Sequence, residues 1–304
     1  MQPIRPVHIS LIVCLMGLPA SCSSRENPKP PPPADATTTI RITGSDTMVN
    51  LVQAWAESYK KIHPDVSVQV SGGGSGVGIA GLIDGILDLA ASSREMEPQE
   101  LERATQKHGG VKPKEFDVAL DALSVYVHKN NPLDAIALED LAEIYGENGK
   151  IDKWSQLGVK NTGCDSDTIV RVSRQNNSGT YVYFREAVLG TKREYKLGSI
   201  DQSGSKDVVM LVSRTPCAIG YSGMAYATPD VKTVKLAKVK GAPPVAPTNE
   251  TATNKTYPLA RRLYFYSPGE PAPAAKQFLD WVLSADGQKI VKDIGFVPIQ
   301  GSAK

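Results

Sequence analysis

The sequence predicts an α/β protein with a layered sheet, on three observations. Strand, polar turn and helix follow one another repeatedly, and the turns carry hydroxyl and glycine residues where helices begin. Residues 116–128 form an apolar stretch too long for one ordinary strand and interrupted by Asp121, as expected of a strand that leaves one domain and enters another. The 304-residue chain is 41% hydrophobic and 22% charged, a globular composition with room for two ordinary domains or one large one.

The elements follow in order. Residues 39–43 are a β-branched run, and Gly44-Ser45-Asp46-Thr47 turns the chain into a helix with an apolar stripe at Met48, Leu51, Val52, Trp55 and Tyr59, ended before Pro64. Residues 66–70 alternate as a strand. The glycine loop of residues 71–78 and a short helix through Ile79, Leu82 and Ile83 come next, and a small buried strand at residues 88–91 stops at Ser92-Ser93-Arg94. After the long stretch, residues 138–145 read as a helix capped by a preceding polar turn. Residues 171–184 read as a strand ending in Arg174, a polar turn, and a helix opening at Ser178. A helix near residues 205–212 and a strand at residues 218–221 follow. The lysines of residues 231–240 recur at strand-like intervals, which suits a charge-protected edge strand better than a nucleic-acid patch. Residues 241–256 read as a loop, 263–266 as a strand crossing back, and 274–283 and 285–294 as two helices. No internal repeat is visible.

A formal net charge of +2 gives no argument for bulk nucleic-acid binding. The N-terminus reads as an export signal over residues 1–22, with Arg5 and His8 before an apolar run too short to span a bilayer permanently. Leu18-Pro19-Ala20-Ser21-Cys22 resembles a bacterial lipobox, with Pro19 in place of the usual leucine; it predicts acylation at Cys22, with plain secretion as the alternative. The proline-rich residues 23–38 then form an extended tether. Cys164 and Cys217 remain in the folded body, as a disulfide between neighbouring parallel strands or as two buried thiols.

Three loops share one chemistry. Gly44-Ser45-Asp46-Thr47, the glycine loop Gly72 to Gly78 with Ser75, and Arg174 to Ser178-Gly179-Thr180 each place hydroxyls and free backbone N–H groups at a helix start. Ser92-Ser93-Arg94 adds hydroxyls and a guanidinium at a strand end. Any one of these alone is an ordinary cap. Together they suit a small oxyanion held without a metal or other cofactor, because helix N-termini are positive and their amides unpaired.

Competing chemistries lack their signatures. Gly76-Val77-Gly78-Ile79-Ala80-Gly81 matches a dinucleotide fingerprint, but no acidic residue closes the following strand. The histidines His63, His108 and His128 are isolated, without metal-ligand spacing. Ser75 lacks a nucleophile-elbow frame, and Ser178 has no general base nearby in sequence, so binding rather than catalysis is expected.

The order of Gly44-Ser45-Asp46-Thr47, Gly72-Gly73-Gly74-Ser75, Ser92-Ser93-Arg94, Arg174 and Ser178-Gly179-Thr180 resembles the phosphate-binding subunit of Pst-type ABC importers. The resemblance covers residues 39–299 and includes Ala218-Ile219-Gly220-Tyr221 and the terminal helices. It implies a type II periplasmic-binding-protein fold, two α/β lobes joined by two crossing strands with the ligand cleft between. Lobe one would be residues 39–122 with 258–304, and lobe two residues 123–257. It implies a monomer that hands inorganic phosphate to membrane permease subunits and touches the membrane only through lipid. Carried over by motif, Ser45, Asp46, Thr47, Ser75, Ser93 and Arg94 would hold phosphate from one lobe, and Arg174, Ser178, Gly179 and Thr180 from the other. Two departures matter. Arg94 stands where well-studied members have a proton-accepting aspartate, and Asn176 stands where they often have an acid paired with the arginine. Asp46 is then either the replacement acceptor for a phosphate O–H or a simple N-cap. Sulfate, molybdate or arsenate receptors, an exported phosphate-ester hydrolase using Ser178, and a sensory or adhesive lobe pair are the alternatives.

Overall fold

The computed structural model describes residues 37–299; the export signal, Cys22 and nearly all of the tether lie outside them. In chain order the elements are β1 (Thr38–Gly44), α1 (Val49–Ile62), β2 (Val66–Ser71), α2 (Ser75–Ile83), β3 (Leu89–Ser92) and α3 (Pro98–Lys107). Next come β4 (Lys114–His128), β5 (Ala135–Ala137), α4 (Leu138–Tyr145), β6 (Val170–Arg174), α5 (Gly179–Phe184), β7 (Ile200–Gln202) and α6 (Ser205–Arg214). The rest are β8 (Ala218–Gly223), β9 (Val231–Ala237), α7 (Asn249–Thr253), β10 (Ala260–Ser267), α8 (Pro273–Val282) and α9 (Ala285–Ile294).

Two halves of the sheet repeat one topology. β1 pairs in parallel with β2 and β3, and β10 runs antiparallel between β3 and β4. In the same way β6 pairs in parallel with β7 and β8, and β4 runs antiparallel between β8 and β9. This repeat is one of strand topology and leaves the sequence reading, which found no internal repeat, as it stands. Strand order and pairing sense recur while no periodic pattern is visible in the sequence.

The long apolar stretch is the joint. The first part of β4 pairs with β10 and the second with β8 and β9, so one 15-residue strand serves both halves. Alternation along strands sorts residues to opposite faces. Val125 and Val127 join a core with Leu141, Ile144 and Tyr145 of α4, while Tyr126 between them joins Val208, Val209 and Val212 of α6. Leu263 and Phe265 of β10 meet α1, α8 and α9, while Tyr264 and Tyr266 face Leu82 of α2. Helices therefore cover both faces of each half, which is why β4 and β8 read as continuous apolar runs.

Local corrections have local causes. Helix α3 was not read from the sequence because its apolar stripe is thin, with only Ala104 fully buried; its signals are Pro98 in the first turn and a Glu97–Glu100 capping box. Helix α4 follows the short strand β5 and has no side-chain cap, rather than the expected capping turn. The lysine-rich strand β9 pairs with β4 over its first part and with β5 over its last, so residues 231–234 have one partner strand, as an edge does. The predicted loop at residues 241–256 contains α7, capped by the Thr248 hydroxyl.

Candidate anion site

The repeated topology places four turns at one end of the sheet, each following a parallel strand. The turn after β1 carries Ser45, Asp46 and Thr47, and the glycine loop after β2 delivers Ser75 to the first position of α2. In the other half, the turn after β6 leads through Ser178 into α5, and Ser203-Gly204-Ser205 after β7 leads into α6. Ser205 thus occupies in α6 the place Ser75 holds in α2. The sequence reading located that helix but not its role, although Ser203-Gly204-Ser205 is a shorter echo of Gly72-Gly73-Gly74-Ser75.

The hydroxyls converge. Ser45 Oγ donates to Ser93 Oγ at 2.9 Å, Ser75 Oγ lies 3.4 Å from Ser93 Oγ, and Ser75 Oγ accepts the Ser93 amide at 3.1 Å. Thr47 Oγ1 lies 2.9 Å from Thr180 Oγ1 and 3.3 Å from Ser205 Oγ, contacts between the two halves. All six are buried, as is Ser178, whose Oγ accepts the Thr180 amide as the cap of α5. Gly179 closes the cluster: a Cβ there would stand 2.7 Å from Ser93 Oγ and closer still to Ser75 Oγ. Hydrogen is the only side chain that lets the two halves approach so nearly.

Arg174 is the charge at the centre. It is fully buried at the end of β6, and its fork is held on all sides. Nε donates to the Gln202 carbonyl at 3.2 Å, Nη1 to Ser205 Oγ at 3.1 Å, and Nη2 to the Ser203 carbonyl at 2.6 Å and Asp46 Oδ2 at 3.3 Å. Burial pulls its pKa below the ordinary arginine value, and the Asp46 charge opposes that shift. Asp46 also accepts the Gly73 amide through Oδ1 at 2.8 Å. Helix α1 begins at Val49 with Met48 before it, so Asp46 does not cap it. The simple N-cap expected as one reading of Asp46 is corrected by that placement.

Arg94 is engaged away from the hydroxyl cluster. Its side chain is buried, but Nη1 and Nη2 each donate to Glu100 at 2.7 Å, and Nη1 also reaches the Glu95 carbonyl at 2.8 Å. Burial disfavours its charge, yet the hydrogen bond and charge of Glu100 outweigh that and raise its pKa. A bidentate pair of this kind commits the fork, so among the described residues Arg94 makes no hydrogen bond to the hydroxyl cluster. Ser92 likewise turns its Oγ to the Arg94 carbonyl.

Three residues at the cluster were missed altogether. Arg261 of β10 reaches Thr180 Oγ1 at 3.1 Å and pairs with the buried Asp121 of β4. Tyr226 donates to the Asp46 and Thr47 carbonyls at 3.2 and 2.9 Å. Asn177 Nδ2 donates to the Gly73 carbonyl at 2.9 Å, which joins the turn before α5 to the glycine loop. The dinucleotide-like glycines have a packing role instead: a Cβ at Gly78 would stand 2.5 Å from the Thr43 carbonyl oxygen.

Elsewhere, the Cα atoms of Cys164 and Cys217 are 5.2 Å apart and their sulfurs face each other as a disulfide, beside the parallel pair β6 and β8. Among the described residues no group of three or more His, Cys, Asp or Glu could hold a metal ion, and no helix is long and apolar enough to cross a membrane. What the cluster offers is two buried guanidinium groups, Arg174 and the Asp121-paired Arg261, six hydroxyls and the N-terminal amides of α2 and α6. That set suits a small tetrahedral oxyanion.

Known proteins carry the same plan. Residues 30–286 match the model of the PBP superfamily domain. The chain is 39% identical over 267 residues to the phosphate-binding protein PstS of Pseudomonas aeruginosa, covering 84% of this chain and 81% of that one. It is 31% identical over 268 residues to the phosphate-binding protein PstS of Bacillus subtilis, with 87% and 82% covered. Among solved structures, a Clostridium perfringens protein assigned as a phosphate ABC transporter substrate-binding protein, with phosphate bound, superposes with a TM-score of 0.76 at 30% identity, over 86% of this chain and 100% of that one. The ABC-type phosphate transport receptor of Vibrio cholerae gives a TM-score of 0.68 at 25% identity, with 86% and 100% covered. The fold is that of the periplasmic binding proteins, and the chain belongs to the PBP superfamily, in the family of the phosphate-binding proteins.

Proposed function

We propose that this protein is an exported receptor that captures inorganic phosphate between its two α/β halves and delivers it to the permease of an ABC importer. The observation that carries the reading is the buried Arg174, set among hydroxyls contributed by both halves and joined to Asp46 across them. The binding residues are Ser45, Thr47, Ser75, Ser93, Arg174, Ser178, Gly179 and Thr180, joined by Ser205, with Asp46 as the acceptor that faces a phosphate O–H. Residues 39–122 with 258–304 move as one lobe and 123–257 as the other. Contacts added on closure would shift the open–closed equilibrium when the anion arrives. The role is binding without turnover, and Ser178 Oγ, engaged with the Thr180 amide, serves as a cap rather than a nucleophile. Cys22 anchors the protein by lipid, and residues 23–38 hold it off the membrane. Calorimetric titration with phosphate, sulfate and molybdate tests the reading. Saturable heat with phosphate at one site per chain is expected; heat with none of the three anions would overturn it.

A further inference from the structure

Asn177 ties the two halves together beside the hydroxyl cluster. It precedes Ser178 in the turn after β6, and it meets Gly73 and Gly76, which flank Ser75 in the glycine loop of the other half. Asn177 Nδ2 donates to the Gly73 carbonyl at 2.9 Å, and the Asn177 carbonyl accepts the Gly76 amide at 3.1 Å. A backbone carbonyl only accepts, so the Asn177 side chain must present its NH2 group there. The Gly76 amide lies in the first turn of α2, where amides lack a partner within the helix, and the N-cap residue Gly74 has no side chain to supply one. Helix α2 is therefore capped from the other half. Both sides of the contact are anchored. The Gly73 amide donates to Asp46 Oδ1 at 2.8 Å, and the Gly74 amide to the Gly44 carbonyl at 2.9 Å. Across the gap, the Ser178 amide donates to the Gln175 carbonyl at 3.0 Å, and the Gln175 amide to the Gln202 carbonyl at 3.1 Å.

We infer that Asn177 is a positioning residue that latches the two halves in their closed arrangement: it sets how long a bound anion is held, not which anion is chosen. The inference rests on the phosphate reading above. The latch consists of bonds between protein groups alone, so its worth does not depend on the chemistry of the anion. It also joins segments from opposite halves, so it exists only when the halves meet. An anion enters while they are apart and leaves only after they part again. The latch therefore adds to the barrier for dissociation and leaves the encounter rate alone. Its position between Ser75 and Ser178 ties it to the site, because the anion that draws those two residues together also brings Asn177 onto the glycine loop.

The test uses the full chain with Asn177→Ala, which removes the side-chain bond and keeps the backbone carbonyl that caps α2. Dissociation is read by chasing radiolabelled phosphate with an excess of unlabelled phosphate, and affinity by calorimetry with phosphate and with arsenate. The loss of one hydrogen bond is expected to speed phosphate dissociation by about threefold to tenfold. Affinity for both anions should fall by that same factor, so the association rate and the phosphate-to-arsenate ratio stay at their wild-type values. The melting temperature of the anion-free protein should not change, because the latch holds only the closed arrangement. Asn177→Leu, of the same bulk without the donor, should behave alike, and it decides by the same comparison should the alanine variant not fold. An unchanged dissociation rate overturns the inference, including the case where the anion-free melting temperature drops, which marks a merely structural role. A shifted phosphate-to-arsenate ratio also overturns it, because Asn177 would then act on the anion itself. A wild type that gives no heat with phosphate overturns the reading beneath it.

Discussion

Arg174 Nη2 lies 3.3 Å from Asp46 Oδ2, across the two halves and 128 residues apart in the chain. The arginine side chain is fully buried and the aspartate 19% exposed. Burying a charge is tolerated only when it is paired and hydrogen-bonded, and Arg174 meets that condition with two carbonyls, one hydroxyl and one carboxylate. Lysine would keep the charge but lose the fork, and burial would draw its ammonium towards neutrality more easily. Arg174→Lys is therefore expected to weaken phosphate binding on the order of 100-fold, a loss of about 3 kcal/mol. Calorimetry beside a thermal melt separates this from misfolding: a folded variant of unchanged affinity would remove Arg174 from the site.

On the proposed reading, Asp46 would carry the selectivity. A carboxylate can accept from a phosphate O–H, whereas fully ionised sulfate offers only negative oxygens, a like-charge contact worth several kcal/mol. Asp46→Asn replaces one carboxylate oxygen with a donor. The expected outcome is a gain in sulfate affinity and a loss in phosphate affinity, narrowing their ratio by about 100-fold or more. Competition between the two anions on the variant measures it. An unchanged ratio would assign Asp46 only to holding Arg174 and the Gly73 amide.

Gly179 tests whether the halves must approach as closely as they do here. Its substitution by alanine places a methyl against Ser93 Oγ and Ser75 Oγ. Alanine suits the first turn of a helix as well as glycine does, so α5 itself is not harmed. Phosphate affinity is expected to fall at least tenfold with the melting temperature nearly unchanged. Small-angle scattering with saturating phosphate should show less compaction than in the wild type.

How far the sequence led follows from where the information resides. Apolar periodicity placed α1, β2, α8 and α9, and the unusual length of residues 116–128 marked the strand shared by both halves. Ser45, Thr47, Ser75, Ser93, Arg174 and Thr180 stand in turns whose hydroxyl and glycine content is a local signal. The pairing of Arg94 was not legible because a guanidinium has the same letter whether it faces an anion or Glu100, and Glu100 belongs to α3, which the sequence did not reveal. Arg261 and Asp121 were invisible as a pair, since only the β10–β4 register brings residues so distant in sequence together. Ser205 needed the repeated topology, a property of strand order rather than of any residue.

The cysteines give a stability prediction. Cys164 precedes β6 and Cys217 precedes β8, at a sequence separation of 53. Closing a loop of that length removes about 4 kcal/mol of unfolded-chain entropy by the usual chain model. Reduction, or Cys164→Ser with Cys217→Ser, is expected to lower the melting temperature by several degrees. Phosphate affinity should be nearly unchanged, because the pair lies away from the hydroxyl cluster. Equal melting curves with and without reductant would show that the bond adds nothing to stability.

The tyrosine cluster behind β6 gives a prediction at alkaline pH. Tyr221 stacks on Phe184 with ring centroids 3.9 Å apart, and its hydroxyl lies 2.7 Å from Ser173 Oγ and 2.9 Å from the Tyr195 hydroxyl. Burial pushes the Tyr221 phenol up to about 12, and the hydrogen bonds from Ser173 and Tyr195 only partly offset that. The unfolded chain ionises near the ordinary value of about 10. The folded state therefore holds the proton more tightly, so the stabilisation is full below about pH 10 and is lost as pH rises through the folded value. Tyr195 and Tyr145 are raised by burial in the same direction, so the losses reinforce one another. Thermal stability is expected to drop steeply between about pH 10 and 12, with the late phenolate absorbance appearing together with loss of far-ultraviolet circular dichroism. Tyr221→Phe removes one ionisation and leaves the ring in place, so its alkaline transition should move to higher pH. Phenolate absorbance from the cluster that rises near pH 10, with the fold intact, would contradict the assignment.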